Sequence, residues 1–180
     1  GGGAPGPETH LVMGGPVILE RLEELLPGAI LNTHAFRGDA TAAVAPARYL
    51  EAVEAAFGEG FQLLVDLTAV DWNQRDPRFD VVVHLLNLTS QERLRLKLGL
   101  RAGEALPSLT GRFKAADWFE REDFDLFGIP FEGHPDLRRL PTWGEFPGHP
   151  LRKDFPRDGG DIFCDDTGAS YAGNARSLNG

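Results

Sequence analysis

Two adjacent stretches of this chain cannot share a conformation. From Phe113 to Phe127 there is no proline or glycine, whereas Gly128, Pro130, Gly133, Pro135, Pro141, Gly144, Pro147, Gly148, Pro150 and Pro156 punctuate residues 128–156. The first stretch predicts a helix over 112–127, ended by Gly128 in the left-handed conformation, with Pro130 blocking any restart. The second allows no regular element longer than a turn, so the chain leaves the helix as an extended arm. Helical spacing sets Phe113, Ala116, Phe119, Phe124, Leu126 and Phe127 on one broad face and Arg121, Glu122 and Asp125 opposite. Arg121 and Asp125 are expected to form an ordinary i, i+4 surface pair contributing ~0.2–0.5 kcal/mol. Glu120 projects between Phe113 and Phe127 on the apolar side. An ionised carboxylate is tolerated there only if a cation or several donors meet it, and Arg138 and Arg139 are the nearest basic candidates in sequence.

The arm carries Arg138, Arg139, Arg152, Lys153 and Arg157 against Asp136, Glu145 and Asp154, inside a chain of formal charge −9. A locally basic, irregular segment on an acidic chain buries little of its own surface. It is expected to dock on another surface, with a disordered tail as the competing reading.

Upstream, the pattern is that of a globular domain. Val17, Ile18, Leu22, Leu25 and Leu26 recur at helical spacing until Pro27-Gly28. Residues 29–36 and 40–45 suit a pair of strands. Pro46 sits where a helix favours its first residue, and Tyr49, Leu50, Val53, Ala56 and Phe57 form one face before Gly58. Residues 61–70 and 79–88 are nearly continuous apolar runs joined by a loop holding the turn-forming Asp76-Pro77. Residues 92–100 alternate, Leu94, Leu96, Leu98 and Leu100 against Arg93, Arg95 and Lys97, as in a strand with one wet face. The expected fold class is α+β: one domain, a mainly antiparallel sheet of four or five strands with helices on one face, followed by the extended C-terminal arm. The expected division is a leader at 1–12, a globular domain at 13–128, and an arm and tail at 129–180. The glycine- and proline-rich leader has no apolar core and precedes Met13, a candidate start, so it is expected to be neither a signal peptide nor a structural element.

Composition excludes several classes of function. At 180 residues and 42% hydrophobic content, the chain suits one domain able to bury a core. Its pI near 5.0 argues against a nucleic-acid partner. The single cysteine, Cys164, forms no internal disulfide and cannot alone hold an iron-sulfur cluster. No apolar run approaches the ~18 residues that span a bilayer, so membrane association is expected through partners. His134 and His149 each lie in a Gly-His-Pro setting without metal-ligand spacing; they are expected to bond backbone and to fix two bends. His84, within an apolar run, is expected to be a satisfied core or partner-facing residue. Gly58 and Gly60 fail the dinucleotide fingerprint, because position 63 is leucine and no helix opens there. Asp166-Thr167-Gly168-Ala169-Ser170 resembles an aspartic-protease loop, but that chemistry needs two such carboxylates and the chain has one copy.

The run Glu120-Arg121-Glu122, Asp125-Leu126-Phe127-Gly128-Ile129, Phe131, Gly133-His134-Pro135, Leu137-Arg138-Arg139 and Gly148-His149-Pro150-Leu151-Arg152-Lys153-Asp154-Phe155-Pro156 resembles the signature of the thirty-kilodalton (C) subunit of proton-translocating NADH:quinone oxidoreductase, respiratory complex I. The resemblance implies a peripheral-arm subunit that binds no cofactor of its own, with FMN, iron-sulfur clusters and quinone on other subunits. It implies packing against the forty-nine-kilodalton quinone-site subunit, at the cytoplasmic face of the cell membrane, held there through the complex. Its expected interface and structural residues are Glu120, Arg121, Glu122, Asp125, Gly128, His134, Pro135, Arg138, Arg139, His149, Arg152, Lys153 and Asp154, none of them catalytic. The alternatives are the equivalent subunit of a membrane-bound hydrogenase or another quinone reductase, and, more remotely, an aspartic-protease-like hydrolase using Asp166. On the first reading, the helix and arm clamp the larger neighbour, with Glu120 neutralised by Arg138 or Arg139.

Overall fold

Short polar turns between the apolar runs dictate how the central strands pair. The computed structural model describes residues 14–142, 146 and 148–156. Strands β3 (Leu63–Asp71), β4 (Phe79–Leu86) and β5 (Arg93–Leu100) follow one another. Trp72 N–H donates to the Arg78 carbonyl at 3.0 Å across the first turn, and Asn87 N–H to the Glu92 carbonyl at 3.0 Å across the second. Connections this short join antiparallel neighbours, because a parallel partner needs a long crossover. Strands β1 (Ile30–Phe36) and β2 (Asp39–Val44) form a second hairpin. Its two turn residues, Arg37 and Gly38, both have positive φ, the conformation that matches the twist of the flanking strands.

The sheet order is β1-β2-β5-β4-β3. The α+β expectation with a mainly antiparallel sheet holds, and one ladder departs from a simple meander: β2 lies parallel to β5, with Ala40 opposite Leu94 and Ala43 opposite Lys97. The crossover is helix α2 (Tyr49–Gly58), β3 and β4, long enough to bring a parallel partner alongside.

The chain divides into two compact units. Of the described residues, the first comprises 14–65 and 83–98. In it, helix α1 (Gly14–Leu25) packs on β1, β2 and α2. Ile18, Leu19 and Leu22 are buried, whereas Val17 and Leu25, expected on the same face, are exposed. A 3-10 turn at Pro46–Arg48 leads into α2, whose buried residues Tyr49, Ala52, Val53 and Ala56 are spaced by three or four.

Of the described residues, the second unit comprises 66–82, 99–142, 146 and 148–156. Two short parallel strands, β6 (Leu106–Pro107) and β7 (Phe131–Glu132), flank helix α3 (Ala116–Phe127). The helix begins later than the expected 112. Residues 109–115 form turns instead, with Phe113 N–H donating to the Leu109 carbonyl at 2.8 Å and Ala116 N–H to the Phe113 carbonyl at 3.1 Å. The cause lies in Glu120, which takes hydrogen bonds from Ser108 and Leu109 and so folds the approaching segment over the first helical turn.

Candidate functional site: a clasp around the third helix

The buried stripe of α3 is Ala116, Glu120, Asp123 and Phe127, so two of its four members are carboxylic acids. Glu120 accepts from Ser108 Oγ at 2.6 Å and from Leu109 N–H at 2.6 Å. Burial raises its pKa above the ordinary glutamate range, and those two donors and His134 oppose that rise. His134 has a fully buried side chain, and its Nε2 lies 3.2 Å from Asp117 Oδ1 and 4.0 Å from Glu120 Oε2. Its Nδ1 accepts from Asp136 N–H at 3.0 Å across Pro135, which leaves Nε2 as the protonated nitrogen facing α3. The expected partnership with Arg138 or Arg139 does not form. Arg138 is exposed and pairs with Asp136 at 2.6 Å, while Arg139 is drawn to Asp125 at 3.5 Å. Donors from two consecutive residues, Ser108 and Leu109, satisfy Glu120 without ordering a long cationic side chain.

Asp123 is 2% exposed, and its Oδ2 has no hydrogen-bond partner among the described residues. Burial, reinforced by Glu122, Asp66 and Glu120, holds its pKa well above the aspartate range, against one backbone hydrogen bond from Ala69. Burial thus favours the neutral acid over the carboxylate at this position.

Asp125 corrects a second expectation. Rather than lying on a solvated face with Arg121, it is completely buried. Leu140 N–H, Thr142 N–H and Thr142 Oγ donate to it at 3.1, 2.8 and 2.5 Å. Arg121 donates instead to the Arg138 carbonyl at 3.1 Å and lies over the Trp118 ring. The arm crosses the helix opposite its buried stripe, and a helical wheel drawn for the helix alone has no means of showing that. Glu122 remains exposed.

The rest of the arm caps the C-terminal end of α3. A helix leaves its last carbonyls without intrahelical donors. Here Gly128 N–H serves Phe124 at 3.0 Å, His149 Nδ1–H serves Asp125 at 2.8 Å, and Leu151 N–H serves Leu126 at 3.1 Å. Arg152 Nε serves Phe127 at 2.5 Å, and its Nη2 reaches Gly128 at 3.5 Å. A guanidinium here also meets the negative end of the helix dipole. Burial lowers the pKa of both His149 and Arg152. Gly128 has φ 72°, and a Cβ on it would lie 2.4 Å from His149 Nε2 and 2.5 Å from Arg152 Nη2. The residue is required both for the turn and for the approach of the cap.

Arg139 braces the return path, donating to the carbonyls of Phe146 at 2.8 Å and Gly148 at 3.0 Å. Beyond the cap, Arg78 grips Asp71 with two bonds of 2.8 and 2.7 Å and holds Asp154 at 2.7 and 3.1 Å. Lys153 contributes its backbone N–H to Asp71 Oδ2 at 2.7 Å. The Asp71 side chain is fully buried, and the Arg78 guanidinium keeps its carboxyl far below the usual range. Arg78 and Arg152 both stand over the Phe79 ring, at 5.3 and 5.7 Å from its centre. Asp71 and Arg78 were missed from sequence; the available signal was an acid and an arginine bracketing a hairpin turn. Gly144, Glu145, Pro147 and Arg157 of the arm, the acidic tail with Cys164 and Asp166, and the leader lie outside the described residues.

The signature residues thus bond within the chain, to one another and to Asp71, Arg78, Ser108, Leu109, Leu140 and Thr142, and together they tie the arm to α3. No helix among the described residues is long and apolar enough to cross a membrane. Residues 42–161, which include α3 and its whole cap, match the family described as the 30 kDa subunit of the respiratory-chain NADH dehydrogenase. The C subunit of the NADH-quinone oxidoreductase of Rhodobacter capsulatus is 46% identical over 136 residues, 74% of this chain and 68% of that protein. Its counterpart in Caulobacter sp. (strain K31) is 59% identical over 99 residues, and there this chain spans about half of its relative, 46%. Among solved structures, the trypsin-resistant fragment of Nqo5 aligns with TM-score 0.60 and 28% identity, covering 68% of this chain and 98% of the fragment. A chain of an archaeal membrane-bound sulfane sulfur reductase, a respiratory membrane complex, aligns with TM-score 0.70 and 25% identity, covering 79% of this chain and 86% of that one. Fold, signature and matched span agree, and this chain belongs to the family of the 30 kDa subunit of the respiratory-chain NADH dehydrogenase.

Proposed function

We propose that this chain is a non-catalytic brace in the peripheral arm of an NADH:quinone oxidoreductase. Electrons pass from NADH through FMN and iron-sulfur clusters to quinone on other subunits, and this chain binds none of those groups. The arm and α3 present one fixed surface to the forty-nine-kilodalton quinone-site subunit, at the cytoplasmic face of the membrane, and the complex supplies the membrane attachment. The observation that carries this reading is the cap on α3. Residues 149–152 satisfy the carbonyls of Asp125, Leu126 and Phe127 from within the chain. A surface fixed before binding loses less entropy on docking than a flexible arm that must order.

A second reading takes support from the likeness to the sulfane sulfur reductase: the same brace in a respiratory complex fed by a donor other than NADH. Isolation of the tagged chain from its host separates the two. Flavin- and nucleotide-binding subunits should accompany it on the first reading, and a membrane complex lacking them supports the second. A solitary chain with turnover of its own defeats both.

A further inference from the structure

Strand β5 buries Leu94, Leu96 and Leu98 on one side and turns Arg93, Arg95 and Lys97 to the other. Through the parallel ladder, Arg95 lies beside Thr41 and Lys97 beside Ala43, so β2 contributes only short side chains there. The result is a concavity of about 150 Å³ lined by Asp39, Ala40, His84, Arg93, Leu94 and Arg95.

With 27 acidic residues against 18 Lys and Arg, carboxylates are in surplus on this chain. Arg48, Arg75, Arg78, Arg101 and Arg138 each pair with one. Among the described residues, Arg93 and Arg95 do not. The bond to Arg95 is a long one, Nη1 to Thr41 Oγ at 3.4 Å, and Asp39 forms no ion pair with either guanidinium. Two neighbouring guanidinium forks at a concavity, neither of them paired with a carboxylate, match the planar, two-point recognition of a carboxylate. Two strands away in the same sheet, Leu63 and Val65 of β3 are 40% and 50% exposed, so the sheet also presents apolar side chains to solvent. The net charge of −9 opposes approach to anionic lipid.

From this charge complementarity we infer that the Arg93/Arg95 face of the sheet docks an acidic segment of a partner subunit, one of whose Asp or Glu side chains enters the concavity. This rests on the reading of the chain as a subunit of a larger complex, and it names a surface separate from the clasp. The test uses the full chain in its native complex, with Arg93→Lys and Arg95→Lys together. The substitutions keep the charge and supply amines that a water-soluble carbodiimide couples directly to touching carboxylates. Mass spectrometry should find an isopeptide link from position 93 or 95 to an Asp or Glu of another subunit. Absence of any link at both positions overturns the inference, as does a link only to acids of this same chain. In parallel, R93E/R95E should lower retention of the chain in salt-washed complex about tenfold, since like charges now face each other; retention equal to the parent's at every salt concentration counts against it. If the chain accompanies its complex but neither result appears, the inference alone fails. If it accompanies no other subunit, the proposed function fails first.

Discussion

Arg152 Nε lies 2.5 Å from the carbonyl oxygen of Phe127, at the C-terminal end of α3. A residue of the expected docking arm is thus spent on the chain's own helix. Its neighbours behave alike: His149 and the Leu151 amide serve the two preceding carbonyls, and the Lys153 amide serves Asp71.

Arg152→Ala leaves the Phe127 carbonyl without its charged donor at the negative end of the dipole, and a charge-assisted bond of this kind contributes about 1.5–3 kcal/mol. Arg152→Lys should recover only part of that loss, because one ammonium does not reproduce a fork that spans two successive carbonyls. Urea unfolding of the full chain measures both. Equal stability of the alanine variant and the parent would show that the cap does not hold the arm.

The two acids on Arg78 should differ sharply. Asp71 is fully buried at its side chain, whereas Asp154 is 54% exposed. Arg78→Met strands a buried carboxylate and should cost about 3–5 kcal/mol, while Asp154→Ala should cost under about 1 kcal/mol. The pH dependence has a definite sign. Because the folded pKa of Asp71 is depressed, its stabilising contribution is present above the unfolded value of about 3.9 and is lost as pH falls through the lower folded value. Acid titration of the parent should therefore show stability falling below about pH 4, and Arg78→Met should lack that component.

The architecture was legible because it depends on periodicities of two and about three and a half residues and on turn chemistry. Leu94, Leu96, Leu98 and Leu100 are all buried, as their alternation predicts, and α3 ends at Gly128. The site was legible as a set of residues but not as a set of partners. Asp125 was misread because its burial comes from Leu140 and Thr142, on chain that the helical pattern does not include. Glu120 was recognised as an acid needing donors, yet the donors were Ser108 and the Leu109 amide, where an uncharged residue and a backbone group give no signal in a search for cations. The parallel β2–β5 ladder was hidden for a related reason: alternation fixes which face of a strand is buried and leaves its neighbour open.

Asp123 supplies a pH dependence of the opposite sign. Its folded pKa is raised, so the folded state has its full stability below the unfolded value near 4, loses it as pH rises, and reaches its lower plateau only above the folded pKa. Asp123→Asn keeps the shape and the acceptor for Ala69 and removes the ionisation. The variant should be at least as stable as the parent at neutral pH, with a flatter stability profile from about pH 4 upward. Thermal melts across that range decide it, and a parent profile as flat as the variant's would show that Asp123 ionises freely.

Glu120 gives the prediction that joins folding to assembly. Both of its hydrogen bonds are internal, to Ser108 and Leu109, so removing it acts first on the chain itself. Glu120→Leu leaves the buried Leu109 N–H unpaired and should cost about 1–3 kcal/mol. Glu120→Gln retains an acceptor and offers an amide that Ser108 Oγ can accept, so its cost should be under about 1 kcal/mol, with less of the stability lost as pH rises through the raised folded pKa of the parent. Assembly should follow these losses: the leucine variant should yield less complex at growth temperature and recover at lower temperature, and whatever complex forms should turn over NADH at the parental rate. Complex assembled at normal yield but with reduced turnover would place Glu120 in the electron-transfer chemistry and remove the structural role argued for it.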